Sequence, residues 1–518
     1  MKRQILHFIF SVFFGSIFLT ACFDDKGNYD YIQLSNFYVD TAGMEAIPMI
    51  AQFDTLKLNS KLVYDGDKSN LIFKWSLYDY SPGFAGNPEK VISTTENLAT
   101  PVTVFPSDYW LEFRAIESQT GRVAAYRYKI SVGTSGSGLL VLYEKDNIVD
   151  CDLIKTKLLT GTLEHDDVAR QIYSQSNPDH PLTGKAVSIN MFNYSNMRYI
   201  SIYTDNDGVN ISADDISVIK NFQDMFLFAP RNAKPEGYLA PYGVLTTTPG
   251  ETSDGVEILV SNGICYFSWV MYAILTNTQP IYSERTLATN VSPNTYYAAP
   301  FPFYGLGSLV VYDQENMRFL SGSPLVTTLS VVVGSGNKFS FGNIGKKLIY
   351  IGYGFNGAYM MYGIFKNPSD NGERFLYVMN FGPNNAVAKW DISNYENIRD
   401  ATLFAFGRRG PLAYYAVHNK VYQIKFDLNA DAVDPAPVNG PVFPANEEIS
   451  CIKLCPYPGR DVEENTRDRY LFVGTYNEST EEGKLYIYRT NITSGACDPE
   501  PVSVFGQFGK IKDVAFKF

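Results

Sequence analysis

The sequence predicts an all-β chain in which an Ig-like β-sandwich is followed by a β-propeller of about seven or eight blades. Three observations point there. Aromatic residues make up 15% of the chain, with 37 Tyr and 35 Phe, and many sit in short alternating apolar runs broken by Gly, Asn, Asp and Pro. Long amphipathic helix patterns are scarce, "SADDISVIKNFQDMF" from Ser212 to Phe226 being the best short one. One strand-turn unit also returns at intervals along the chain after residue 136.

The first segment, residues 27–133, reads as successive strands in "DTLKLNSKLVY", "LIFKWSLYD", "TPVTVF", "YWLEFRAIE" and "VAAYRYKISV", a spacing that suits an Ig-like sandwich. Trp75 falls where a core residue between two sheets belongs, which is a better reading than a ligand platform. "GTSGSG", Gly133 to Gly138, is a small-residue linker and marks a domain boundary. Residues 136–518 hold the recurring unit: "GLLVLYEKDN" at Gly138, "GSLVVYDQEN" at Gly307, "NKVYQIKFDLN" at Asn419, "GKLYIYRTN" at Gly483, and the shorter "NGICYF" at Asn262. Blades of roughly 40–50 residues set the expected number. A closed ring also removes exposed strand edges, with the C-terminal "GKIKDVAFKF" placed to pair with an early strand. Two stacked β-sandwich domains are the alternative for this segment.

The N-terminus answers a question of location. Lys2 and Arg3 precede a mostly apolar run from Ile5 to Leu19, too short to span a bilayer, and small residues follow: the layout of a secretory signal peptide, residues 1–21. Leu19-Thr20-Ala21-Cys22 resembles the bacterial lipobox, which implies cleavage before Cys22 and lipid on that residue. Several acyl chains anchor durably where one holds only reversibly. Residues 22–26 form the tether, and its Asp24-Asp25 resembles the acidic signal that sends Bacteroidetes lipoproteins to the cell surface. Membrane contact is expected through the lipid alone.

Removing residues 1–21 takes away two bases and no acid, moving the formal charge from −11 to −13. Such a chain is repelled by phosphate backbones, so nucleic acid is not an expected partner. Beyond Cys22 the cysteines are Cys151, Cys265, Cys451, Cys455 and Cys497, an odd number that cannot close into a disulfide framework. Cys451 and Cys455 are four apart, roughly 13 Å on a strand, too far to bridge. A pairing of Cys497 with either is left open. His165, His180 and His418 share no ligand spacing.

The order of parts, lipobox, "DDKGNYDY", a sandwich with "FKWSLYD", then "GSLVVYDQENMRF" and "NKVYQIKFD", resembles the PKD-like family of Bacteroidetes surface lipoproteins over nearly the whole mature chain. The resemblance implies an outer-membrane, exterior-facing lipoprotein. It also implies an accessory role in glycan or peptide uptake beside a starch-utilisation-type transporter and its lidding lipoprotein. It supplies no catalytic residues and no cofactor.

"EHDD", Glu164 to Asp167, reads as a solvated turn, and Asp313 and Asp427 as acids capping turns at strand ends by accepting backbone N–H bonds. No G-x-S-x-G, H-E-x-x-H or P-loop occurs. Asp205, Asp207 and Asp214 in "YTDNDGVNISADD" match parts of a calcium loop, but Tyr203 stands where its first aspartate belongs, and an Asx-rich turn is the preferred reading. Two aromatic loops offer a ligand or partner surface. "NTYYAAPFPFYG" presents Tyr296, Tyr297, Phe301, Phe303 and Tyr304; "GYGFNGAYMMYG" presents Tyr353, Phe355, Tyr359 and Tyr362. Amphipathic rings on prearranged loops can stack on sugars or peptide side chains, whereas the bland reading packs them under loops as core. The expectation is a binding or docking module; a glycoside- or peptide-cleaving hydrolase and a purely structural scaffold are the alternatives.

Overall fold

A computed structural model describes residues 35–517, except 43–48, 81–87, 162–165, 195–196, 231, 240–255, 270–280, 358 and 457–465. The signal peptide, the lipobox with Cys22, the Asp24-Asp25 pair, and Glu164 and His165 of "EHDD" lie outside the described residues.

Period-2 alternation in the first segment produces a five-stranded sheet ordered Ile50–Ala51, Val123–Gly133, Ser107–Glu117, Leu71–Asp79, Lys90–Ser93. Two strand pairs cover it, Thr55–Leu58 with Leu98–Pro101 and Phe37–Val39 with Leu62–Tyr64. Trp75 is wholly buried between them, packing with Leu56, Leu98 and Val102. Its ring lies 4.8 Å from Phe113 and its indole N–H donates to the Thr95 carbonyl at 3.1 Å. Truncating such a residue to alanine costs roughly 3–5 kcal/mol, so this one side chain accounts for much of the sandwich's cohesion.

After Gly138 the described residues form seven sheets of four main antiparallel strands each, the blades of a propeller. Blade 1 combines Gly138–Lys145, Ile148–Lys155 and Asp167–Ala169 with the C-terminal strand Lys510–Lys517. That last strand pairs antiparallel with Gly138–Lys145, Leu139 opposite Phe516 and Val141 opposite Val514, so the two ends of the propeller close the ring. It packs between the first strands of blade 2 (Ala186–Tyr194) and blade 7 (Glu448–Leu454), which places it innermost. Blades 2 to 7 each run from axis to rim in chain order. Their first strands in blades 3 to 6 are Pro235–Leu239, Phe303–Gly305, Lys347–Tyr353 and Leu403–Phe406.

Gly138 opens the closing hairpin because a Cβ there would lie 2.5 Å from the Ile154 carbonyl oxygen. The recurring unit is real but out of phase. It forms the second strand from the axis in blades 1 and 4 (Gly138–Lys145, Ser308–Asp313) and the third in blades 3, 6 and 7 (Ile264–Trp269, Lys420–Gln423, Glu482–Arg489). Both strands of a blade hairpin obey the same turn-alternation-turn rule. The amphipathic stretch 212–226 resolves into a turn, the outer strand Val218–Asn221 and a short 3-10 turn, Phe222–Met225, because Ala213, Ile216, Phe222 and Met225 all find buried positions without a full helix.

The tyrosine richness is explained by packing. Tyr312, Tyr414 and Tyr415 are buried between blades, and their hydroxyls donate to the carbonyls of Lys346, Gly495 and Glu396. A large ring fills the wedge between blades while its polar tip is satisfied by backbone. None of Cys151, Cys265, Cys451 and Cys455, all buried, nor the half-buried Cys497 is in a disulfide, so the Cys497 pairing left open by the sequence is not made.

Candidate functional site

Strand direction brings the ends of the innermost strands, and the connections that follow them, to one face of the ring. The 133–138 linker enters the propeller on that face, and the sandwich docks there through residues 52–54. On the far side of the same face, blades 5, 6 and 7 open a pocket of about 210 Å³. Its walls come from three consecutive first strands: Tyr350 and Tyr353, then Phe404 and Phe406, then Lys453. Arg408, Arg467 and Asp468 follow on the connecting segments.

The rings are fixed by one another. Tyr350 stacks on Phe404 at 5.8 Å, meets Phe406 at 5.3 Å and receives the edge of Phe301 at 5.2 Å. The Arg408 guanidinium lies 4.0 Å from the centre of the Tyr353 ring, within cation–π range. The Tyr353 hydroxyl donates to the Tyr304 carbonyl at 3.0 Å and accepts from the Tyr304 N–H at 3.1 Å, clamping blade 5 to blade 4.

The polar groups are equally held. Asp468 is buried and accepts the backbone N–H groups of Arg408 and Arg409, the latter at 2.7 Å, which shapes the "GRRG" turn. Burial pushes its carboxyl above the ordinary carboxylate value, and those N–H bonds oppose the shift. Lys453 donates to Asp513 Oδ1 and to the Val514 carbonyl, both at 2.7 Å, and Asp513 Oδ2 accepts the Ile189 N–H at 3.1 Å. Blades 7, 1 and 2 are thereby joined at the axis. Burial also pushes the Tyr350 hydroxyl up to about 12, so it stays a neutral donor. Chemically, the mouth offers ring faces for stacking beside a cation-rich wall, all on rigid strands.

The two aromatic loops of the sequence are placed apart. Tyr353 lines the mouth, Tyr304 backs it through its main chain, and Phe301 buttresses Tyr350. Phe303 is core, 4.7 Å from Phe381. Tyr296 is structural, its hydroxyl donating to the Arg285 carbonyl at 2.6 Å and accepting from Cys265 N at 3.1 Å. Tyr297 is 40% exposed on the opposite face, its hydroxyl 3.1 Å from Glu236 and its ring against Gly263 of the Asn262-Gly263 turn, where both residues have positive φ. Phe355 and Tyr359 are half-buried against the cores of blades 5–6 and 4–5. Tyr350, Phe404, Phe406, Arg408, Lys453, Arg467 and Asp468 did not stand out in the sequence; the one local trace is "FAFGRRG".

The calcium-loop candidates do not converge. Asp205 and Asp207 lie in the turn before Gly208–Ser212, accepting from the Lys185 and Gly208 N–H groups, while Asp214 lies beyond that strand and pairs with Arg198 at 3.2 Å. Among the described residues no group of three or more His, Cys, Asp or Glu side chains is placed to hold a metal ion. Asp313 and Asp427 cap turns, Asp313 accepting from the N–H groups of Tyr297, Glu315 and Asn316 and pairing with Arg318, and Asp427 accepting from Asn429 and Ala430. Asp166 of "EHDD" accepts the Lys157 N–H at 3.1 Å.

Comparisons with known proteins give the following. The chain is similar in shape to a quinonprotein alcohol dehydrogenase-like protein from Bacteroides thetaiotaomicron (11% identity, TM-score 0.47, covering 94% of this chain and 100% of that one). It is also similar to Hsv2 from Kluyveromyces lactis (8%, 0.39, 71% and 99%) and to apo AztD from Citrobacter koseri (9%, 0.35, 86% and 98%). No curated protein matches the chain. The PKD-like family matches residues 22–185, a range that takes in the sandwich and runs on through the first strands of blade 1.

Proposed function

We propose that this chain is a lipid-anchored cell-surface protein, tethered through Cys22, whose propeller binds or docks as an accessory component of an outer-membrane glycan or peptide uptake system. The observation that supports the reading best is the mouth of blades 5–7. Preordered rings and a stacked guanidinium line a concave opening on rigid strands, the arrangement that makes recognition cheap in entropy. The opening shares its face with the sandwich, the part nearest the tether in sequence, so an anchored molecule turns this face toward membrane neighbours.

The test is recovery of the lipidated protein from detergent-solubilised outer membranes, with identification of what accompanies it. A transporter and its lidding lipoprotein in near-equal amounts is the expected result, reduced about tenfold by Arg408→Ala. Recovery of the protein alone would sink the stable-complex reading.

A further inference from the structure

The docking of the sandwich on the propeller creates a second cleft. Residues 52–54 make the joint: Phe53 is 3% exposed within the core of blades 1 and 2, Gln52 donates to the Asp215 carbonyl at 3.2 Å, and Asp54 pairs with Lys155. Phe53 N donates to the Val102 carbonyl at 2.7 Å and Val102 N to the Asp54 carbonyl at 3.0 Å, so the segment that follows the strand Leu98–Pro101 into residues 103–105 is tied to the joint. Beside it lies a cleft of about 350 Å³, larger than the mouth and within the range of roughly 300–1,000 Å³ usual for ligand sites.

One wall is sandwich and the other propeller. The sandwich supplies the rings of Tyr78, Phe105 and Tyr109 and the carboxylate of Glu89; the last residues of the helix Ile172–Ser176 supply Gln175 and Ser176, and the segment after it Pro178. The rings are fixed in place. The Tyr109 hydroxyl donates to the Phe105 carbonyl at 2.8 Å, and Tyr78 donates to Glu89 at 2.9 Å. Phe105 nevertheless keeps 42% of its surface in solvent, and the Ser176 hydroxyl is buried with no hydrogen-bond partner.

We propose that this interdomain cleft is a saccharide site, taking a short neutral glycan segment stacked on Phe105 with its hydroxyls bonded to Ser176, Gln175 and Glu89. Four features select that chemistry. Sugar hydroxyls donate and accept at once, which suits a mixed wall of carboxylate, amide and hydroxyl. The C–H face of a pyranose matches an exposed aromatic ring. Asp79 and Glu89 are balanced by Lys90 in the lining and by Lys74, which pairs with Glu89, so the wall favours an uncharged ligand. The orphaned Ser176 hydroxyl opposes a purely apolar one. The site differs from the mouth in location, and its success or failure is separable from that of the binding reading given above.

The test is calorimetric titration of the full mature chain with hexasaccharides of α-1,4-glucose, β-1,4-mannose and β-1,4-xylose, against oligogalacturonate and a tetralysine peptide. At least one neutral hexasaccharide should bind, weakened about tenfold by Phe105→Ala and several-fold by Gln175→Ala, and unchanged by Tyr353→Ala. Gln175 is exposed, so its variant keeps the measurement interpretable if Phe105→Ala fails to fold. Binding by oligogalacturonate or the peptide alone, or by nothing, overturns the proposal. Neutral-sugar binding that survives Phe105→Ala and Gln175→Ala but is lost in Tyr353→Ala places the sugar at the mouth, overturning this site while leaving the binding reading intact.

Discussion

The two sides of the ring bury charge in opposite ways. Around the mouth of blades 5–7 and the closing strand, Lys453 sits on Asp513 and Asp468 sits on two backbone N–H groups. In the seam of blades 2 and 3, Glu257 is 1% exposed and its neighbours are phenols: Tyr238 donates to it, and Tyr199, Tyr203 and Tyr282 surround it, with Lys220 the nearby cation. Burial pushes this carboxyl up to about 7. The contrast teaches that one ring holds buried carboxyls in two ways, by a counter-charge and backbone N–H groups on one side and by phenols on the other.

The largest expected effect breaks that contrast at Glu257. Its value is about 7 in the folded chain against an ordinary 4.5. The folded state therefore holds the proton more tightly than the unfolded one. The stabilisation this gives is complete below the unfolded value and is lost as pH rises from about 4.5 to about 7, on the order of 3 kcal/mol in all. Glu257→Gln, which keeps an acceptor for Tyr238 and carries no charge, should raise the denaturant midpoint at pH 8 by an equivalent amount and change little at pH 4. Equal shifts at both pH values would show that Glu257 is ionised throughout and that the seam resembles the mouth.

A smaller effect tests the other half. Asp513→Ala removes the Lys453–Asp513 ion pair and the acceptor of the Ile189 N–H, at a cost of roughly 1–3 kcal/mol. Because these bonds join blades 7, 1 and 2, the loss should appear as faster hydrogen exchange along Lys510–Lys517 and its partner Gly138–Lys145. Unchanged exchange there would mean that the main-chain ladder alone closes the ring.

How much of this was legible in the sequence differs by level. The all-β class followed from period-2 alternation and turn residues, which are local signals, and the closing C-terminal strand from the need of a closed ring to leave no exposed edge. The blade phase did not, because the same turn-strand-turn pattern satisfies the second strand of blade 4 and the third of blade 7 alike. The mouth was hidden for a different reason: Tyr350, Phe404 and Lys453 lie about fifty residues apart and meet only once the ring has closed. Phe303 and Tyr353 looked equivalent, rings in loops rich in helix- and strand-breakers. What separates them is non-local: Phe381 and Phe319 cover one, and Arg408 lies over the other. The caps at Asp313 and Asp427 were readable because an acid accepting from N–H groups two or three residues on is a local geometry.

The smallest and sharpest comparison sets Tyr353 against Tyr297, two tyrosines from the two aromatic loops that end on opposite faces. Tyr353→Phe keeps the ring under Arg408 and removes only the hydroxyl bonds to Tyr304; it should cost about 1 kcal/mol of stability and leave partner recovery unchanged. Tyr353→Leu removes the stacking face as well and should lower recovery of the associated complex about tenfold. Tyr297→Leu, at a 40% exposed position, should fall within roughly 0.5 kcal/mol of the parent in stability and leave recovery intact. If Tyr297→Leu lowers recovery while Tyr353→Leu does not, the partner sits on the face away from the sandwich, and the rings at the mouth are packing rather than recognition.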